Sequence, residues 1–161
     1  MFDKQSIINF LSEIPDPEIP VISIVDLGVI REVKPDGKNI EVIITPTYSG
    51  CPAMKQMEDD IRKNLQEHGF ENVKIKTTFN PPWTTDWLSE ASKKKLQDYG
   101  IAPPEESTTD KSFLTGKIKL VTCPHCKSKD TQMVSQFGST ACKALYKCNN
   151  CLEAFDYFKC I

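Results

Sequence analysis

Residues 39–69 read NIEVIITPTYSGCPAMKQMEDDIRKNLQEHG, and the hydrophobic period changes in the middle of them. NIEVIIT is a β-rich run. After Thr45 the spacing lengthens: Met54, Met57, Ile61 and Leu65 stand 3, 4 and 4 residues apart, which places one apolar stripe on a helix from about Pro52 to His68. Gly69 suits the left-handed position that ends such a helix. The chain therefore passes from strand to helix within TPTYSGCPAM. Upstream, VIREV pairs with NIEVIIT as a hairpin through Asp36-Gly37, a dipeptide that tolerates positive φ. Before it, Ile7, Ile8, Leu11 and Ile14 recur at helical spacing between about Asp3 and Ile14, and Pro15, Pro17 and Pro20 forbid continuation. Downstream, Val73, Ile75 and Thr77 alternate with lysines and Thr78 as a third strand. The order helix, strand, strand, helix, strand predicts an α+β fold, an αββαβ two-layer sandwich whose helices cover one face of the sheet. A further helix from about Ser89 to Tyr99, stopped by Gly100, is expected at its edge.

The rest of the chain has a different character. Of 7 cysteines, Cys51 stands alone and the others crowd the last quarter. IAPPEESTTDKSFLTGK, residues 101–117, buries little and reads as a linker. This divides the 161 residues into a domain at 1–100, a linker at 101–117 and a small β module at 118–161. Residues 117–161 carry 7 Lys+Arg against 3 Asp+Glu, although the whole chain has 20 against 22. A net charge of -2 supplies no global field for nucleic acid. No apolar run approaches the roughly 18 residues of a membrane span. MFDKQSIINF lacks the cleavage site of a secretory signal. A cytoplasmic chain is expected, with cysteines serving as thiols or metal ligands before disulfides.

Cys123-Pro-His-Cys126 and Cys148-Asn-Asn-Cys151 are two CxxC pairs separated by 21 residues. Each tight turn aims two sulfurs at one ion, and two turns complete a tetrahedron. Thiolate sulfur selects zinc, or iron in a rubredoxin-like arrangement, over hard cations. A closed shell of four sulfurs leaves no place for water, so one structural zinc is expected in a β zinc ribbon too small to stand on its apolar core alone. Redox CxxC motifs are the rival, but no thioredoxin-like strand–helix context surrounds either pair. His125, between two ligands, reads as a turn residue. Cys142 and Cys160 read as small buried residues, with a labile or cluster-related role as the alternative for Cys142. The positive module raises a nucleic-acid reading. A dianionic metal–thiolate centre offsets about half of that charge, and Tyr146, Phe155, Tyr157 and Phe158 are needed as core.

Cys51 supports two readings. With Pro52 at the first helical position, Cys51 caps the helix and faces unsatisfied N–H groups, an environment that favours the reactive thiolate. Gly50 would permit close backbone approach there. Alternatively Cys51 is an ordinary small cap beneath the sheet. Asp16-Pro17-Glu18 and Asp26-Leu27-Gly28 supply further polar groups, and taken singly they are loop and turn formers. His68 lies at a helix end, no Ser-His-Asp arrangement is visible, and no glycine-rich phosphate loop occurs. An enzyme active site in the usual sense is not legible.

DPEIPVISIVDLG, the hairpin and TPTYSGCPAM together resemble the SufT-like iron–sulfur assembly domain, once called domain of unknown function 59. PPWTTDWLSE, DYGIAPP, FGSTACKALYKC and AFDYFKC extend the resemblance over nearly the whole chain, to the PaaD family of phenylacetate degradation. Ala154 departs from it, standing where proline is expected. The resemblance implies a non-enzymatic accessory factor that assists iron–sulfur cluster assembly or maintenance in the phenylacetyl-CoA ring-epoxidase system, with the iron–sulfur reductase as client. It implies Cys51 as a reactive or transient cluster ligand, with Asp16, Glu18, Asp26 and Thr45 lining the same pocket. Three alternatives stay open: a stable structural subunit of the epoxidase, a nucleic-acid-binding ribbon, and thiol-dependent catalysis. A homodimer pairing two Cys51 pockets is a further expectation, and no membrane partner is expected.

Overall fold

The computed structural model describes residues 2–47, 50–104, 121–140 and 142–158. The chain divides into two units, Met1–Trp83 and Thr84–Ile161, each built on its own core.

The first unit follows the expected order. Helix α1 spans Lys4–Leu11, capped by Asp3, whose carboxylate accepts the Ser6 N–H at 2.7 Å. Its apolar stripe buries Ile7 and Leu11, and Ile14 is buried in the turn beyond. Strands β1 (Ile30–Asp36) and β2 (Asn39–Ile44) pair antiparallel. Asp36 pairs with Asn39, so the two-residue turn is Gly37-Lys38, one position later than expected. Gly37 adopts φ 60, the positive value this turn needs at its first central residue. Helix α2 spans Ala53–Glu67, and β3 (Asn72–Thr77) joins β2 in parallel, giving the order β1-β2-β3. In α2 the buried stripe is Ala53, Met57, Ile61 and Leu65; Met54 is only half-buried. Full burial of side chains such as Ile61 and Leu65 contributes roughly 1.5–3 kcal/mol each. The last turn of α2 closes with Gly69 N–H to Gln66 O at 3.0 Å and Phe70 N–H to Leu65 O at 3.1 Å, the paired bonds of a Schellman cap.

On the outer face of the sheet, Glu41 lies within ion-pair distance of Lys76 (2.7 Å), Lys74 (3.8 Å) and Lys34 (3.9 Å). Lysines along β3 also blunt a sheet edge that would otherwise invite pairing.

The second unit departs from the expected partition. After a 3-10 turn at Thr85–Trp87, helix α3 (Glu90–Asp98) starts at Ser89, whose hydroxyl accepts the Ser92 N–H at 3.1 Å. This helix groups with the C-terminal unit and not with the edge of the first sandwich. Ile101–Ala102, expected to open a linker, form β4, which pairs in parallel with β7. The linker residues 105–117 lie outside the described residues. Strands β5 (Thr131–Ser135), β6 (Lys143–Cys148) and β7 (Ala154–Phe158) complete a sheet of order β4-β7-β6-β5. Residues 121–123 form no strand. Thr131 replaces the ladder there: its hydroxyl donates to Val121 O at 2.6 Å and accepts the Val121 N–H at 3.3 Å. The core gathers Ala102, Val121, Ala144, Tyr146, Phe155 and Tyr157 around Cys123 and Cys148. The Tyr146 ring stacks on Phe155 at 5.9 Å and meets Tyr157 edge-on at 5.6 Å.

Candidate functional site

The four sulfurs of Cys123, Cys126, Cys148 and Cys151 all lie within 4.8 Å of one another. Cys123 Sγ is 3.8 Å from Cys151 Sγ, and Cys126 Sγ is 3.5 Å from Cys148 Sγ. Four thiolates bound to one ion at about 2.3 Å would sit about 3.8 Å apart at the corners of a tetrahedron. The spacing fits that cage, and it is far too long for a disulfide.

Two equivalent backbone knuckles build the cage. In the first, Cys123 N–H donates to Ser128 O at 2.8 Å; in the second, Cys148 N–H donates to Glu153 O at 2.9 Å. The residue after each second cysteine takes a left-handed conformation, Lys127 at φ 64 and Leu152 at φ 66. Both are side-chain-bearing residues where glycine would be unstrained. Cys123 and Cys148 are buried, whereas Cys126 is exposed. As free thiols they are not alike. The Ser128 N–H and the Asn150 side-chain amide donate to Cys126 and lower its thiol to about 6. The Glu153 N–H donates to Cys151, yet desolvation and the neighbouring sulfurs outweigh it and push that thiol up to about 12. His125 is exposed and outside the four-sulfur set, as its reading as a turn residue requires.

Asparagine at both inner positions of the second pair was not singled out by the sequence. Asn149 N–H donates to Asp130 O at 2.9 Å and its side-chain amide donates to Asp130 Oδ1 at 2.9 Å. Asn150 Nδ2 donates to Cys126 Sγ at 3.6 Å. Cys142 is buried, with its sulfur 3.0 Å from Thr140 Oγ1, while Cys160 lies outside the described residues. Tyr146, Phe155, Tyr157 and Phe158 are buried in the core, and Phe137 is exposed.

In the first unit, Cys51 stands where the chain passes from β2 to α2. Helix α2 opens at Ala53 with Pro52 as its N-cap, so Cys51 stands one residue before the capping position expected of it, and its carbonyl accepts the Met54 N–H at 3.2 Å. Cys51 is 8% exposed, a largely buried residue. Gly50 has φ 77 and open space where a Cβ would project; it supplies conformation, and the expected close approach is not found.

The two acidic motifs are tied into local backbone. Asp16 is buried, and Oδ1 accepts the N–H groups of Glu18 at 2.9 Å and Ile19 at 2.7 Å. Asp26 Oδ2 accepts the Ser23 N–H at 3.2 Å while Ser23 Oγ accepts the Asp26 N–H at 3.0 Å, a reciprocal cap on a single helical turn. That turn ends at Gly28, with Gly28 N–H to Val25 O at 3.0 Å and Val29 N–H to Ile24 O at 3.1 Å. Glu18 is half-buried. Thr45 is fully buried; its N–H donates to Val29 O at 2.9 Å, and its hydroxyl has no hydrogen-bond partner among the described residues. The turn at residues 23–28 feeds β1, and Thr45 and Cys51 follow β2, so all belong to one end of the sheet.

The chain thus joins an α+β sandwich, with a cysteine at its strand-to-helix handover, to a β ribbon that brings four thiols together. The family model for iron–sulfur cluster assembly proteins matches residues 4–76, and that for the PaaD zinc beta ribbon domain matches 107–159. The chain is 46% identical over 151 residues, 94% of its own length and 89% of the relative's, to an Escherichia coli (strain K12) protein described as a subunit of the "Putative 1,2-phenylacetyl-CoA epoxidase". It is 36% identical over 96 residues, 58% of this chain and 90% of the relative, to a Porphyromonas gingivalis Fe-S protein maturation auxiliary factor. The crystal structure of a domain of unknown function 59 protein from Bacillus anthracis aligns with a TM-score of 0.54 at 28% identity, covering 58% of this chain and 90% of that one. The chain belongs to the PaaD family.

Proposed function

We propose that the protein is a non-catalytic accessory factor that assists iron–sulfur cluster assembly or maintenance in the phenylacetyl-CoA epoxidase system, with the iron–sulfur reductase as its client. The observation that carries this reading is the division of its likenesses. The first part resembles maturation auxiliary factors, while the whole length resembles an epoxidase component. In this reading Cys51 is a temporary thiolate ligand at the head of α2, with Asp16, Glu18, Asp26 and Thr45 around it. One sulfur holds a cluster weakly, which suits delivery, and a second copy of the chain could supply another. The ribbon cage holds zinc and gives its small β sheet the rigidity its core cannot supply. No helix among the described residues is long and apolar enough to cross a membrane, and in this reading the protein acts in the cytoplasm.

Cys51→Ser tests the role. Co-expressed with the reductase, the variant is expected to lower the client's cluster content; unchanged cluster content with unchanged epoxidase activity would remove Cys51 from the mechanism. The description of the Escherichia coli relative as part of an epoxidase favours a second reading, a stable structural component of that complex. That reading predicts co-purification at fixed stoichiometry, indifferent to Cys51→Ser.

A further inference from the structure

We infer that Asn149 and Asn150 are positioning residues of the four-sulfur cage, and that the amide of Asn150 on Cys126 governs how fast the metal leaves. Asn150 projects from the second knuckle onto the first, and Asn149 onto Asp130 just beyond it. Asn149 makes two 2.9 Å bonds to Asp130, one from its backbone and one from its side chain. Asn150 reaches Cys126 Sγ at 3.6 Å, a normal separation for an N–H group and a larger, softer sulfur. These bonds link the knuckles through the protein itself, so the cage is set before an ion enters. Asn150 also acts on the most exposed of the four cysteines. Cys126 is exposed whereas Cys123 and Cys148 are buried, so this is the corner at which water, a proton or a competing ligand arrives first. A donor aimed at a metal-bound thiolate offsets part of its charge, holds its direction and makes it a poorer base for an incoming proton. Asn149 and Asn150 are exposed, so packing does not account for two neighbouring amides here.

The inference rests on the proposed metal site, and one experiment separates the two. The full chain is loaded with one equivalent of cobalt(II) to read thiolate-to-metal charge transfer, and with zinc to follow release into a chromogenic chelator. Asn150→Ala, Asn150→Asp, Asn149→Ala and the exposed control Gln132→Ala are compared with the parent. Asn150→Ala is expected to keep the four-sulfur cobalt spectrum yet release zinc about tenfold faster, the scale of one hydrogen bond to a charged group. Asn150→Asp, which sets a carboxylate beside the thiolate, is expected to be faster still. Simple space-filling would reverse that order, because Asp matches Asn in shape and Ala does not. Asn149→Ala is expected to slow metal uptake without changing the spectrum, and Gln132→Ala to match the parent. Release from both Asn150 variants within twofold of the parent, or Asp slower than Ala, would overturn the role of Asn150. A parent lacking the thiolate charge-transfer bands would sink the metal reading itself and this inference with it.

Discussion

The indole Nε1 of Trp83 donates to the carbonyl oxygen of Leu27 at 2.8 Å, both residues buried, fastening the segment after β3 to the turn that feeds β1. Leu27 lies inside the turn at residues 23–28, where Leu27 N–H is already spent on Ser23 O at 3.0 Å. Trp83→Phe keeps most of the apolar bulk and removes the donor, leaving a buried acceptor unpaired. The expected cost is roughly 1–3 kcal/mol, read as a lower urea midpoint of the first unit. A loss below about 0.5 kcal/mol, the noise of ordinary surface changes, would mean that water reaches Leu27 O.

This fastening shows where sequence reading stops. PPWTTDWLSE was legible as a family signature, but no local rule pairs a tryptophan with a carbonyl 56 residues away. Helix α2, the hairpin and the two knuckles were legible because period and turn chemistry act over a few residues. Ile101–Ala102 was not, since two residues carry no period and their strand exists only through pairing with β7. Around Cys51 the difficulty is different. Asp16 and Asp26 can cap their own turns and can also line a pocket, and the residue type alone cannot decide between these roles.

Removal of the metal should act on one unit. The ribbon core is small and two of its members, Cys123 and Cys148, belong to the four-sulfur cage, so energy of metal binding there would be folding energy. Chelation is expected to strip amide hydrogen-exchange protection from β5, β6 and β7 while β1, β2 and β3 keep theirs. Equal loss in both units would show that the first depends on the metal as well.

Lys127 and Leu152 offer a stabilising change. At φ 64 and φ 66 each bears a Cβ in the left-handed region, at a cost of roughly 1–2 kcal/mol, part of which glycine returns through its freer unfolded chain. Leu152→Gly and Lys127→Gly are expected to raise the ribbon's stability by up to about 1 kcal/mol each, seen as a higher melting temperature. Leu152→Val, β-branched at the same φ, should lower it. Leu152 is 68% exposed, so little packing is lost in either change.

Acid should release the metal in a defined way. Thiols must lose protons to bind, and the free cage holds Cys126 at about 6 and Cys151 at about 12. At neutral pH Cys126 already binds as thiolate while Cys151 must give up its proton. Affinity therefore falls throughout as pH falls, and more steeply by one proton once pH passes below about 6. A zinc-binding titration across that range checks the change of slope. In the metal-free chain, iodoacetamide at pH 7 is expected to mark Cys126 before Cys151, assigned by peptide mapping; the reverse order would contradict the hydrogen-bonded thiolate.

Thr45 gives the sharpest separation of stability from function. Its side chain is fully buried just beyond β2, and its hydroxyl finds no partner among the described residues. An unpaired buried hydroxyl is a net cost, and replacing it by a methyl group of the same shape is neutral or favourable. Thr45→Val is therefore expected to leave stability unchanged or raise it by about 1 kcal/mol, measured by urea denaturation. If the hydroxyl is kept to meet a cluster or a client ligand at the Cys51 end of the sheet, the same variant should lower the client's cluster content despite its sturdier fold. A chain made less stable by valine would instead reveal a hydrogen bond to a bound water. A chain both steadier and fully active would leave Thr45 as a tolerated flaw in the core and remove it from the proposed pocket.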